Sequence, residues 1–249
     1  MSKLLRLLLI LSIYFLSDGC ESSNSFDIKQ EEGSLQLNSD DEARELNTVS
    51  SINNPYSFLA LGDSYTIGEG VEENERWPNQ FIKYAQEYNV YFENPKIIAE
   101  TGWKSYDLIN AIKSTDFEKK YDYISLLIGV NNQFNSIPIN EFNEDLNKLL
   151  NEINYLRKAS SSIIIISIPD WGYTPFGEGY NRSQISNEIN QFNNVLKRFA
   201  ANNDLNFVDV TEISRKAISE TNLIANDNLH PSGLMYYEWV EKIFQIWID

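Results

Sequence analysis

The chain has little of what metal and redox chemistry use. One cysteine, Cys20, and one histidine, His230, occur in 249 residues. A zinc site usually draws three or four ligands from Cys, His and carboxylates, so a site built on Cys and His is excluded. Carboxylates alone leave a hard-cation site open, but no calcium-loop spacing occurs. No metal or cofactor is therefore expected. Basic residues are also scarce: 20 Lys and Arg stand against 36 Asp and Glu, for a formal charge of −16. Binding to a phosphate backbone needs clustered cations, so nucleic acid is not an expected partner. The acidity serves solubility. What is plentiful is apolar material, 42% of residues, enough to bury the core of one sizeable domain.

The N-terminus reads as an address. In "MSKLLRLLLILSIYFLSDGC" Lys3 and Arg6 precede an apolar run from Leu7 to Leu16, and small or polar residues precede Cys20. That is the order of a secretory signal, and the run is too short to span a bilayer. A Cys at this place resembles a bacterial lipoprotein signal, in which it carries the lipid, although Leu16 stands four residues before Cys20 rather than three and Asp18 is unusual there. The other reading is an ordinary signal with an incidental Cys. Residues 1–20 are thus expected to be a signal and Cys20 a lipidation site, with the protein in the cell envelope. Its only membrane contact would be that anchor. Residues 21–54 are rich in Ser, Asn, Asp and Glu, without a sustained apolar period, and read as a tether.

From residue 55 to 249 short apolar runs alternate with helical patterns. Strand candidates are "YSFLALG", "VYFENPKIIAE", "YDYISLLIGV", "SSIIIISIP" and "LNFVDV". Between them stand "RWPNQFIKYAQEY", "SYDLINAIKS", "INEFNEDLNKLLNEINYLRKA" and "QISNEINQFNNVLKRFAAN", with "PSGLMYYEWVEKIFQIWI" closing the chain; their apolar residues recur every three or four positions. Strands apolar on both faces, each followed by a helix, predict a parallel sheet covered by helices on both sides. Ligands of such sheets bind beyond the C-terminal strand ends.

The chemistry-bearing residues fall at those ends. Ser64 follows the first strand in "LALGDSYTIGEG". Alone, it reads as a helix N-cap; in company it reads as a nucleophile. "NDNLHPSG" holds His230 with Asp227 three residues before it, a spacing that can bring the carboxylate back to the imidazole. "AETGWKSYD" offers Gly102, and "LIGVNNQF" offers Asn131, whose neutral, directional amide suits an oxyanion. Each of the last two also reads as an ordinary turn residue. The long loop Pro169–Gln184 carries Trp171, Tyr173, Phe176 and Tyr180. With Trp103 beside Gly102, its Trp171, Tyr173 and Phe176 are candidates for substrate contact. They would stack on a sugar or line an acyl pocket, or else fold the loop onto the domain.

Gly62-Asp63-Ser64, Gly102, Gly129-x-Asn131 and Asp227-x-x-His230, in this order, resemble the SGNH hydrolases, also called the GDSL esterase/lipase family. The resemblance spans Tyr56 to Trp247. It implies a flavodoxin-like three-layer α/β/α sandwich around a five-stranded parallel sheet. It also implies Ser64 as nucleophile, His230 as base and Asp227 as the residue orienting it. The oxyanion hole would be the Ser64 and Gly102 backbone N–H groups and the Asn131 side chain. One position departs from the pattern: Asn132 stands where the family usually has Asp, which puts the bracing of the Asn131 loop in question. The expected substrate is a small acyl ester such as an acetylated carbohydrate. The alternatives are a lysophospholipase or thioesterase in the same fold, or a catalytically silent binding protein. Oligomeric state is not legible in the sequence.

Overall fold

A computed structural model describes residues 54–248. The expected signal, the Cys20 lipidation site and all but the last residue of the tether lie outside them. Five strands form one sheet: β1 (Phe58–Gly62), β2 (Lys96–Ala99), β3 (Tyr121–Leu127), β4 (Arg157–Ile166) and β5 (Asn206–Val208). Their order is β2-β1-β3-β4-β5, and every pairing is parallel. The five-stranded α/β architecture expected from the sequence is thus present. β1 and the last four residues of β4 are buried throughout, because helices cover both faces. β2 and β5 at the edges are only half buried.

The helices are α1 (Ser64–Ile67), α2 (Trp77–Gln86), α3 (Ser105–Ser114), α4 (Val130–Phe134), α5 (Ile139–Leu156), α6 (Arg182–Asn202), α7 (Thr211–Arg215) and α8 (Gly233–Trp247). Two groups pack together, α2 with α8 and α3 with α5 and α6. The first group meets the sheet through an aromatic cluster. Phe58 of β1 lies 5.6 Å from Phe81 of α2 and 5.4 Å from Trp247 of α8, centroid to centroid. These rings bury large apolar areas, and each ring pair adds about 0.5–1.5 kcal/mol beyond area alone.

The chain reverses direction across the sheet at β1. It leaves β1 for β2 on one side, then returns past β1 to β3 on the other. The crevice at such a reversal is where open α/β sheets bind ligands. The register Gly62↔Leu127 brings the ends of β1 and β3 level there. The turns carrying Ser64 and Asn131 follow these two strand ends.

The sequence pattern extends the long helix to Ala159, but it stops at Leu156 and Arg157–Ala159 belong to β4. Arg157 pairs with Tyr121 across a register shift. Lys158 reaches Asp122 at 2.7 Å. Sheet pairing therefore captures residues whose spacing also suits a helix. The second strand is shorter than its apolar run, since Phe92 makes only an isolated bridge to Tyr56 and Pro95 interrupts the ladder.

Candidate active site

Ser64 is the first helical residue after β1, and it is buried. It does not cap the helix, contrary to the simplest reading of the sequence. The cap is Asp63, whose Oδ1 accepts from the Tyr65 backbone N–H at 3.1 Å. Asp63 is fully buried, and its Oδ2 has no partner among the described residues. Burial outweighs the backbone N–H groups of Tyr65, Asp63 and Gly129, and the carboxyl is pushed up to about 7. Farther along this segment, Gly70 sits at φ +83°, and a Cβ there would come within 2.9 Å of Asp227 Oδ2. The glycine allows the Ser64 segment to pass close against the loop that carries His230.

That loop is self-bracing. His230 Nδ1 lies 2.6 Å from Asp227 Oδ2, and Asp227 Oδ1 accepts the backbone N–H groups of Leu229 and His230, each at 2.9 Å. Burial opposes the Asp227 charge, but these backbone donors and the imidazole prevail and hold its carboxyl below the usual value. A carboxylate on Nδ1 fixes the tautomer that leaves Nε2 as the basic nitrogen. The Tyr65 ring meets the imidazole edge-on, with centroids 5.5 Å apart. The His230 carbonyl accepts from Ala225 N at 2.8 Å, which closes the loop's base. Ser64 and His230 line one cleft. No hydrogen bond joins their side chains among the described residues; such contacts often tighten only around substrate.

Gly102 and Asn131 line the same cleft. Gly102 adopts φ +86°, and the space around its missing Cβ is open, so its backbone can be approached closely. Asn131 Nδ2 donates one hydrogen to the Trp103 carbonyl at 3.0 Å, and the other remains for a ligand.

Asn132 answers the question raised by its departure from the family pattern. It is fully buried. Its Oδ1 accepts from Ser105 N at 2.9 Å, and its Nδ2 donates to Ser105 Oγ at 2.7 Å. Ser105 Oγ in turn donates to Asp145 Oδ2 at 2.7 Å, and Lys148 holds Asp145 Oδ1 at 2.9 Å. A carboxylate therefore braces this loop after all. It comes from α5 and acts through one serine. The chain ties the Asn131 turn to the segment following Gly102.

The cleft measures about 210 Å³, and its remaining wall is mostly apolar: Val130, Phe134, Trp171, Phe176 and Leu229, with Tyr65 and Thr101 adding hydroxyl-bearing side chains. Trp171 and Phe176 were expected from the sequence. Phe134 was not; its signal is its place three residues after Asn131, one turn along the same short helix. Tyr173 and Trp103 do not line the cleft. Tyr173 lies beneath two guanidinium groups, Arg182 at 5.2 Å and Arg215 at 5.8 Å, which draw it away as a cation–π partner. Trp103 packs partly buried against the core and contributes its carbonyl to Asn131. The loop of Trp171 and Phe176 is anchored at its start by Asp170, fully buried and paired to Arg215 at 3.0 Å. It is tied to the His230 loop by Phe176 N, which donates to the Asn228 carbonyl at 3.0 Å.

A family profile described as GDSL-like lipase/acylhydrolase matches residues 60–237, which take in the Ser64, Gly102, Asn131 and His230 turns. The chain belongs to that GDSL-like family. Membership makes it a hydrolase of the esterase, lipase and acylhydrolase kind. Among curated proteins, none matches the chain. Solved structures share the fold at low identity. TesA superposes with a TM-score of 0.61 at 13% identity, covering 76% of this chain and 96% of its own. A lipolytic G-D-S-L protein from Veillonella parvula gives 0.61 at 17%, covering 78% and 98%. Axe2, an acetylxylan esterase from Geobacillus stearothermophilus, gives 0.58 at 18%, covering 76% and 93%.

Proposed function

We propose that this GDSL-like hydrolase is a serine esterase of short acyl esters, such as acetylated carbohydrates, working through an acyl-enzyme. The observation that carries this reading is the shared cleft. Ser64, Gly102, Asn131 and His230 line it, and Asp227 occupies the far nitrogen of the imidazole. In this reading His230 Nε2 takes the Ser64 proton as Oγ attacks the ester carbonyl. The Ser64 and Gly102 N–H groups and the Asn131 amide receive the oxyanion. His230 protonates the leaving alcohol, and water then attacks the acyl-enzyme by the same route.

The size of the cleft supports a short acyl group. At about 210 Å³ it is smaller than the roughly 300–1,000 Å³ of pockets that hold drug-sized ligands. A lysophospholipid chain or a long thioester finds less support in this space. The test is a hydrolysis panel of p-nitrophenyl esters of graded chain length, acetylated sugars, lysophospholipids and acyl-CoA. Acetyl and propionyl esters are expected to lead, with activity falling as the acyl chain lengthens and outgrows such a pocket. A preference for long acyl chains contradicts the assignment.

A further inference from the structure

Beside the Ser64 cleft lies a second one, also of about 210 Å³. Phe134 and Trp171 line both, so they form the ridge between them. The character changes across that ridge. The second cleft is walled by Tyr180, Gln133, Gln184 and Glu188, with Ser136 and Asn181 at hand. Trp171 Nε1 donates to Gln133 Oε1 at 2.8 Å, and Gln133 Nε2 donates to Glu188 Oε2 at 2.7 Å. Gln184 Nε2 donates to Glu188 Oε1 at 2.9 Å. Each oxygen of Glu188 thus holds one neutral amide, and no cation pairs with it among the described residues. A carboxylate has about four acceptor sites, so it retains capacity for hydroxyl donors.

The aromatic side is equally ordered. Tyr180 packs edge-on against Trp171, with centroids 5.0 Å apart, yet it stays 49% exposed. Phe134, 5.4 Å from Trp171, is exposed as well. Mutually braced rings with free faces give contact area at little entropic cost.

We propose that this second cleft holds the alcohol half of the ester, and that this half is a sugar ring. This rests on the esterase reading, with the acyl group on the Ser64 side of the ridge. The apolar face of a sugar stacks on Tyr180, while its hydroxyls donate to Glu188 and meet the hydroxyl of Ser136 and the amide of Asn181. A phosphate-bearing alcohol is repelled by Glu188. A quaternary ammonium matches the rings and the carboxylate but leaves the amide donors unused.

The experiment separates the two halves of the site. Tyr180→Ala and Glu188→Gln are assayed on methyl acetate and on an acetylated xylo-oligosaccharide, with acetylcholine as a third substrate. The expected result is a loss of about tenfold or more in kcat/KM on the oligosaccharide, through KM, as for a lost charged hydrogen bond. On methyl acetate, whose alcohol half is too small to cross the ridge, both variants stay within about twofold of the parent, since neither side chain lines the Ser64 cleft. Tyr180→Ala, at a half-exposed position, carries the test if Glu188→Gln does not fold. Equal losses on both substrates, or none on the oligosaccharide, overturn the proposal. So does a larger loss on acetylcholine than on the sugar. Calorimetry of the same oligosaccharide with Ser64→Ala measures binding without turnover. Sugar binding that depends on Tyr180 in a chain inert to every ester supports the cleft and sinks the esterase reading.

Discussion

Two turns at the C-terminal edge of the sheet each carry an aspartate beside a residue of proposed chemistry, and they treat it in opposite ways. Asp63 adjoins Ser64. It is fully buried, caps α1 and has one oxygen without a partner. Asp227 is partly exposed, accepts two backbone N–H groups and holds His230. Burial raises the first carboxyl to about 7, and hydrogen bonding keeps the second below its ordinary value. Asp63 is the more conspicuous in sequence, since it stands inside the Gly-Asp-Ser motif. The surroundings give the charge to Asp227 and a structural place to Asp63. If the proposed roles hold, proximity to the nucleophile in sequence is a poor guide to which acid works on the base.

The sharpest way to break this comparison is to neutralise each acid in turn. In the proposed mechanism Asp227→Asn lowers kcat on p-nitrophenyl acetate by about 10³–10⁴-fold, because the amide favours the wrong imidazole tautomer. Asp63→Asn keeps kcat within about tenfold, since Asn caps a helix about as well as Asp. Equal losses would erase the distinction.

A second prediction adds a third acid. Asn132 and Asp145 are joined through Ser105, and only Asp145 has a cation. Asn132→Asp sets two carboxylates against one hydroxyl hydrogen in a buried site. Activity is expected to fall about 10–100-fold as the Asn131 turn shifts. Adding Asp145→Asn reverses the direction of the hydrogen-bond chain and recovers most of that loss. The readout is kcat for the two single variants and the double. A double variant as poor as the product of the singles contradicts the relay.

A third prediction concerns stability rather than turnover. Asp63 has a folded-state value near 7, against 3.8 for an ordinary aspartate. Its neutral form is the one the fold favours, so its contribution is complete below pH 4 and is lost as pH rises toward 7. Asp227 has the opposite sign: its contribution is present above pH 4 and is lost on acidification. Thermal melts between pH 4.5 and 7.5 should show a decline in Tm that Asp63→Asn flattens. An unchanged slope in that variant removes Asp63 as its source.

Much of this was legible in the sequence, for a physical reason. Buried parallel strands leave apolar runs such as "SLLI" and "IIII", and a parallel sheet gathers every loop after a strand at one edge. Ser64, Gly102 and Asn131 could be placed together by that rule alone; His230 lies farther from its strand, beyond α7, and needed its Asp227 spacing as well. What could not be read depends on contacts between distant segments. Arg157–Ala159 continue a helical spacing, and only pairing with β3 makes them strand. Tyr173 belongs to the aromatic loop, yet Arg182 and Arg215 claim its ring. Asp145, thirteen residues beyond Asn132, stands in what reads as an ordinary amphipathic helix. The Asp63 cap competes with Ser64 for the same turn, and the two orders of Ser and Asp are indistinguishable until the backbone is known.

The central claim is that Ser64 is a nucleophile activated by His230. Labelling with a fluorophosphonate, followed by peptide mass spectrometry, tests it most directly. The account predicts one adduct, on Ser64, abolished in Ser64→Ala and strongly slowed in His230→Ala. No adduct on the folded protein, or labelling at Ser64 that is indifferent to His230, would contradict it.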